Sequence, residues 1–328
     1  MSSPKIFNSS EIERITKESS FDRELIDAIA KGYADFSLAK FNLCPIQTMG
    51  APPLAPFSES VQDYAAQVCV KSGYITGDPY FVIKVAAGGR PLPHNTGLMQ
   101  VFSQSTGNLE ALLLDEGLLT ELRTAAAGAV AVKFLGPDCV KRIGIVGTGI
   151  QARYQLRYLR QVTSCRNLVI WGRTKEHAEA LKAELKDEWN VDIADNTQEL
   201  LDTCNIIITT TCSRQALLHG PVSGSLLLVC IGADSVGKQE LSSNLVANAD
   251  LLVCDSRIQT QERGEFQHAL RENKITLESI REIGEIIVRS DLSPNRKLTI
   301  FDSSGVAIQD CVVAKMVYLK LLGDLVVK

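Results

Sequence analysis

A lysine, an arginine, an aspartate and one glycine turn hold most of the chemistry this chain can offer. Lys84 stands in Tyr80-Phe81-Val82-Ile83-Lys84-Val85-Ala86, a charged residue inside an apolar strand pattern. Burying an unpaired ammonium costs several kcal/mol, so a buried Lys84 requires an anionic partner, whereas on a solvated edge it requires none. Arg123 is the only arginine of the apolar stretch Leu118 to Phe134, in Leu122-Arg123-Thr124-Ala125-Ala126-Ala127-Gly128. Its planar fork suits a carboxylate, from a ligand or from the chain itself. Asp234 follows the continuous apolar run Ser225 to Gly232. In open α/β sheets ligands lie beyond the carboxyl ends of strands, which suits Asp234 to a nicotinamide ring; a helix cap is the other use of an aspartate there.

The glycine turn is Gly147-Thr148-Gly149-Ile150-Gln151-Ala152, between the strand-like Lys141 to Val146 and an amphipathic helical stretch. Gly147 permits a tight turn, Gly149 lets the backbone approach a pyrophosphate, and Ala152 lets the helix pack closely on the strand. The helix start adds free N–H groups and a positive dipole end. A second short strand, Asn167 to Trp171, ends in Gly172-Arg173-Thr174-Lys175. An acidic residue there would bind the ribose 2′-hydroxyl of NAD; Arg173 and Thr174 suit a 2′-phosphate instead. The expected cofactor is NADPH, with NADH the alternative, and a solvated helix start is the other reading of Arg173 and Lys175. The strand ends at Thr210 and Gly232 complete the expected cofactor site.

These residues need a scaffold, and the chain alternates accordingly. After the glycine turn come helix 175–189, strand 191–193, helix 196–201, strand 205–210, the buried strand 225–232 and a last clear strand 251–255, which is the rhythm of a parallel sheet. Before it, helix starts at Ser9-Ser10-Glu11 and Ser19-Ser20-Phe21 precede an extended or looped stretch, 43–56. Gln67 to Val85 then reads as a hairpin around Gly77-Asp78-Pro79, with Lys71 on its first arm, followed by strands 97–102 and 109–114 and a helix 118–134. A final helix, 306–322, returns to the first domain. The expected fold is α/β: a Rossmann-type doubly wound parallel sheet, residues 126–304, inserted in a second α+β domain made of 1–125 and 305–328.

With 328 residues there is room for two cores, and a net charge of −4 gives no basic footprint for nucleic acid or anionic membrane. No apolar run reaches the ~20 residues that cross a bilayer, and the polar start lacks a secretory core, so the expected compartment is the cytoplasm. The nine cysteines are scattered, with no CxxC pair, and the four histidines show no ligand spacing. Reduced thiols and no metal site are expected.

Taken in order, Phe81-Val82-Ile83-Lys84, Leu122-Arg123-Thr124-Ala125-Ala126, the glycine turn, Trp171-Gly172-Arg173-Thr174, Ile231-Gly232-Ala233-Asp234 and Phe301-Asp302-Ser303-Ser304-Gly305 resemble the ornithine cyclodeaminase and mu-crystallin family. The resemblance implies a homodimer paired through the sheet of the outer domain, NAD(H) or NADP(H), and amino acids or their imines as substrates. It also implies that Lys84 and Arg123 bind the substrate α-carboxylate and polarise the C–N centre, that Asp234 handles a proton, and that Gly305 belongs to the substrate site. Where the family has arginine after proline near the first strands, this chain has Pro45-Ile46-Gln47. Gln47 can hydrogen-bond a carboxylate without neutralising it, and a pocket-facing Lys71 would restore the cation and favour a substrate with two carboxylates. The favoured activity is NADPH-dependent reduction of a 2-imino acid. The alternatives are ornithine cyclodeamination, which pairs with NAD and an acid at the second strand end, and a crystallin-like binding protein, which the joint presence of Lys84, Arg123 and Asp234 argues against.

Overall fold

The computed structural model describes residues 3–50, 66–88, 95–293 and 296–323. They divide into two compact units, one of Met1–Arg123 with Val306–Lys328 and one of Thr124–Gly305. The chain passes from one to the other inside a single helix, Leu118–Leu135.

In the first unit, β1 (Lys5–Phe7), α1 (Ser9–Thr16) and α2 (Phe21–Ser37) precede β2 (Phe41–Leu43), β3 (Gln47–Gly50), β4 (Gln67–Ile75), β5 (Tyr80–Gly88), β6 (Asn95–Ser103) and β7 (Leu109–Leu113). α1 starts one residue earlier in the chain than its serines suggest. Asn8 is the cap, accepting from Glu11 N while Glu11 reaches back to Asn8 N, a reciprocal pair that satisfies two free donors. The expected extended stretch 43–56 contains β3; its part beyond residue 50 lies outside the described residues. The sheet order is β1-β7-β6-β5-β4-β2, with β3 also on β4, and every pair except β1–β7 is antiparallel. The short edge strand β1 was not foreseen, because three residues carry no periodicity.

Strand alternation sorts the sheet's residues by face. Lys71, Lys84, Met99 and Val101 are buried on the side where the C-terminal helix Ala307–Leu322 packs, together with Leu25, Ile29 and Tyr33 of α2. Each fully buried aliphatic side chain contributes about 1.5–3 kcal/mol.

In the second unit, α3 (Leu118–Leu135) leads to β8 (Ile143–Val146), α4 (Ile150–Leu159), β9 (Asn167–Trp171), α5 (Lys175–Leu185), β10 (Asn190–Ile193), α6 (Thr197–Thr203), β11 (Ile206–Thr209), β12 (Arg214–Leu218), β13 (Leu226–Cys230), β14 (Gln239–Leu241), β15 (Leu251–Cys254), β16 (Ile280–Glu282) and β17 (Leu298–Asp302). Eight of these strands form one parallel sheet, ordered β10-β9-β8-β11-β13-β17-β15-β16. β8, β11, β13 and β17 are apolar along their length because both faces are covered. The fold class is the expected α/β, a Rossmann-like parallel sheet with a separate mixed sheet. Residues 251–255 are not the last strand: β17 sits between β13 and β15, in the middle of the sheet. The order reverses at β8, leaving its carboxyl end beside that of β11, and this is the point where doubly wound sheets bind ligands. No helix among the described residues is long and apolar enough to cross a membrane.

Candidate active site

The first unit assembles a buried charge cluster from three elements. β5 supplies Lys84, the first turns of α3 supply Arg123, and the C-terminal helix supplies Asp310, none more than 6% exposed. Asp310 Oδ1 lies 3.1 Å from Lys84 Nζ and 3.0 Å from Arg123 Nε. These are charge contacts without hydrogen-bond alignment, and Asp310 Oδ2 has no hydrogen-bond partner among the described residues. Arg123 Nη1 donates to Gln309 Oε1 at 2.6 Å, and Gln309 Nε2 donates in turn to the Tyr33 hydroxyl at 2.5 Å. Nε faces Asp310 and Nη1 faces Gln309, so Nη2 remains uncommitted among the described residues.

The electrostatics follow from burial. Lys84 is pulled down to about 8, first by loss of solvent and then by the charges of Arg123 and Lys71, with Asp310 opposing them. For Asp310 burial acts upward, but Lys84, Arg123 and Lys71 outweigh it and hold the carboxyl below its ordinary range. Asp115, which accepts from Leu119 N at the head of α3, is pushed up by burial. A lysine poised near neutrality, a fixed guanidinium and a half-satisfied carboxylate can bind a carboxylate and hold a proton near it.

Lys71 joins this cluster and Gln47 does not. Lys71 lies directly across from Lys84 on the same face of the sheet. Gln47 pairs with Val70, one residue away, so its side chain leaves the other face and is exposed. Asp310 is not among the residues the sequence singled out, although its signal is present: it is the one charged residue of the helix start Ala307-Ile308-Gln309-Asp310-Cys311-Val312-Val313. A cavity of about 290 Å³ in the same unit, lined by residues including Gly32, Tyr80, Val312 and Lys315, shares no lining residue with the cluster.

In the second unit the glycine turn lies at the sheet's reversal point. Gly147 has φ +115, and a Cβ there would meet Thr210 Oγ1 at 2.6 Å, so both the conformation and the packing require glycine. Thr210 closes the turn, its N and Oγ1 both donating to Val146 O. A Cβ on Gly149 would meet nothing within 4 Å, and Gly149 caps α4 with no side-chain bond. Arg153, unremarked in the sequence, pins this turn by donating to Thr148 O and Gly149 O while pairing with Glu184. Gly172 packs on Thr148, Arg173 is exposed, and Thr174 caps α5 without using its side chain. An open cradle at the start of α4, with the Thr174 hydroxyl and the Arg173 guanidinium at the next strand end, fits a dinucleotide phosphate chain.

The other expected residues of this unit have structural partners. A Cβ on Gly232 would strike Thr211 O at 2.1 Å, and its N–H donates to Glu240. Asp234 is exposed and takes Lys238 Nζ at 2.6 Å and Ser235 Oγ at 3.0 Å; it caps none of the described helices. Gly305 has φ +77 and donates its N–H to Asp255. Beneath these strand ends lie four buried carboxylates, Glu240, Asp255, Glu265 and Asp302. They accept from Thr209, Thr211, Gly232, the amides of Glu240 and Leu241, Thr260, Ser303 and Ser304. Among the described residues no group of histidine, cysteine, aspartate and glutamate is arranged to hold a metal.

Residues 60–324 match the ornithine cyclodeaminase/mu-crystallin family. The chain belongs to that family. It is 36% identical over 269 residues, 79% of this chain and 81% of the relative, to an uncharacterized cyclodeaminase of Sinorhizobium fredii. It is 34% identical over 222 residues, 66% of this chain and 68% of the relative, to the iminosuccinate reductase of Paracoccus denitrificans. The solved structure of that reductase with NAD+ superimposes with a TM-score of 0.84 at 26% identity, covering 98% of this chain and 96% of that one. An archaeal alanine dehydrogenase dimer with bound NAD gives 0.85 at 25%, covering 98% and 96%. The chain is therefore an enzyme of a family of NAD(P)H-dependent imine reductases and cyclodeaminases, and an oxidoreductase.

Proposed function

We propose that this enzyme reduces a 2-imino acid to the amino acid with NADPH, NADH being the weaker donor. The buried Lys84–Arg123–Asp310 cluster is the observation that carries the reading. The nicotinamide supplies a hydride when bound. The remaining work falls to the chain's own residues. Arg123, with Nη2 uncommitted, and Lys84 hold the substrate α-carboxylate and draw electron density from the C=N bond. As the hydride reaches carbon, the C=N bond becomes a C–N bond and its nitrogen takes one proton; imine, hydride and proton balance the amine product. Asp234, released from Lys238, is the group assigned to that proton, as the family resemblance implies. Gly147 through Ala152 with Thr210 would hold the pyrophosphate, with Gly232 at the neighbouring strand end. Arg173 and Thr174 take the 2′-phosphate, which favours NADPH and speaks against the cyclodeaminase, whose pattern pairs NAD with an acid.

The enzyme is proposed to act as a homodimer. The face of the first sheet away from the helices carries Val70, Phe81, Ile83, Val85, Leu98, Phe102 and Leu112, half-buried side chains too apolar for a solvated face. Its proposed compartment is the cytoplasm, where all nine cysteines, unpaired in the structure, stay reduced.

The test is loss of NADPH or NADH near-ultraviolet absorbance with 2-oxo acids plus ammonia or methylamine, and with cyclic imines. Oxidation of NADPH with an imine is the expected result. No oxidation with any imine, together with ammonia release from ornithine and added NAD, would replace the reading with cyclodeamination.

A further inference from the structure

At the reversal point of the parallel sheet the ends of β8, β11 and β13 stand in a row. The loop after β11 carries Thr210, and the loop after β13 carries Gly232. One buried side chain reaches both. Glu240 of β14 is 0% exposed. Its Oε1 accepts from Thr211 N at 2.6 Å, and its Oε2 accepts from Thr209 Oγ1 at 2.6 Å and from Gly232 N at 3.0 Å. The carboxylate therefore grips the chain on either side of Thr210, the residue whose hydroxyl packs against Gly147. The fit at Gly232 is equally close: besides Thr211 O, a Cβ there would meet Glu240 Oε1 at 2.5 Å. Glu240 is itself anchored from behind. Its own N–H donates to the Glu265 carboxylate at 3.0 Å, and that of Leu241 does so at 2.6 Å. Burial raises Glu240 above its ordinary range, and the donors on the two loops oppose that rise, standing in for the water the carboxylate has lost.

We propose that Glu240 is a positioning residue of the dinucleotide site: its carboxylate sets Thr210 and Gly232 where they meet the pyrophosphate and the nicotinamide half of the cofactor. The assignment rests on the dinucleotide reading of the glycine turn. A carboxylate is required because three donors converge on two oxygens. An amide offers one oxygen and one NH2, so in either orientation a backbone N–H, of Thr211 or of Gly232, faces a donor in place of an acceptor. The loop that carries that N–H must shift or leave it unpaired. β9, whose end carries Arg173 and Thr174, is separated from β11 by β8, so the adenosine half of the cofactor lies outside the reach of Glu240.

The test is calorimetric titration of the full chain with NADPH and NADH, and with adenosine 5′-monophosphate and adenosine 2′,5′-bisphosphate, which lack the nicotinamide half. Glu240→Gln is expected to weaken binding of the preferred dinucleotide about 10- to 100-fold, the value of one unsatisfied buried N–H, and binding of the adenosine nucleotides by no more than about 3-fold. A general loosening of the fold would weaken both kinds of ligand alike, and that result overturns the proposal. So does a dinucleotide affinity within about 2-fold of wild type. Thr209→Val gives an independent reading should the glutamine variant fail to fold. Thr209 is 0% exposed and out of reach of a ligand, and losing its hydroxyl leaves the carboxylate one bond short. The dinucleotide should bind this variant about 3- to 10-fold more weakly with the adenosine nucleotides unchanged, and an unchanged dinucleotide affinity overturns the proposal. Wild-type protein that binds neither NADPH nor NADH defeats the dinucleotide reading and the role of Glu240 with it, whereas tight binding that survives both variants defeats the role of Glu240 alone.

Discussion

The two units bury charge in opposite ways. Below the strand ends of the second unit, Glu240, Asp255, Glu265 and Asp302 crowd four acids together, yet each is supplied with hydroxyl or backbone N–H donors. Burial, and for Glu265 the neighbouring Glu240, push the protonation of Glu240, Glu265 and Asp302 upward: Asp302 reaches about 7, and Glu265 rises well above its ordinary value. An acid can leave its charge behind by keeping a proton, so this cluster costs little and ties loops together. The first unit buries Lys71, Lys84 and Arg123, and a guanidinium has no such exit. Among the described residues Asp310 Oδ2 has no hydrogen bond, and Arg123 meets Asp310 and Gln309. Saturated acids describe a joint; charge pairs without aligned hydrogen bonds, as between Asp310 and Lys84 or Arg123, describe a candidate site.

The sharpest way to break that contrast is Arg123→Lys. It keeps the charge and loses the fork, so the variant should fold with a melting temperature near wild type while kcat/KM for the imine drops about 1000-fold. Steady-state NADPH oxidation decides it. A loss under about 3-fold would make Arg123 a structural partner of Asp310, no different in kind from the acids of the second unit.

How much of this was readable beforehand depends on distance along the chain. The glycine turn, the second strand end and the lysine in its apolar strand are each contiguous, and their local patterns sufficed. Lys84's partner was required but unnamed, because Asp310 comes from the far end of the chain; the neighbouring pair Arg123–Gln309 spans 186 positions. Gln47 went astray by one residue of register. Period-two alternation turns a one-residue shift into the opposite face, and no short turn joins β3 to β4 to fix that register in advance. β17 is central to the sheet although the sequence pattern does not announce it, since its neighbours β13 and β15 are set by tertiary pairing and not by its own five residues.

A smaller effect is expected from Asp310→Asn, which keeps the shape and removes the charge. Asp310 is what raises Lys84 against burial and its cationic neighbours. Lys84 holds its proton below about 8 and loses it above, so an activity that needs the ammonium falls on the alkaline side of that value. Without Asp310 the limb should move to lower pH, and kcat/KM at neutral pH should fall about 10- to 100-fold. The variant-to-wild-type ratio across pH cancels the titration of the imine itself. An unmoved alkaline limb would show that Asp310 only packs.

The smallest effect should come from the acid joint. Glu265 accepts from Leu241 N at 2.6 Å and from Glu240 N at 3.0 Å, and burial followed by the charge of Glu240 raises it well above 4.5. A neutral Glu265 is matched by glutamine in shape and hydrogen-bond capacity, so Glu265→Gln should change stability by less than about 1 kcal/mol at neutral pH. The sign of the pH dependence follows. With the folded value raised above the unfolded one, Glu265's contribution is complete below about 4.5 and is lost as pH rises toward the raised value. Thermal melts from acid to alkaline pH should therefore slope downward less in Glu265→Gln than in wild type, with KM for the imine unchanged. A large loss of stability at neutral pH would mean that Glu265 is ionised there, and the joint would then hold a buried charge as the Lys84–Arg123–Asp310 cluster does.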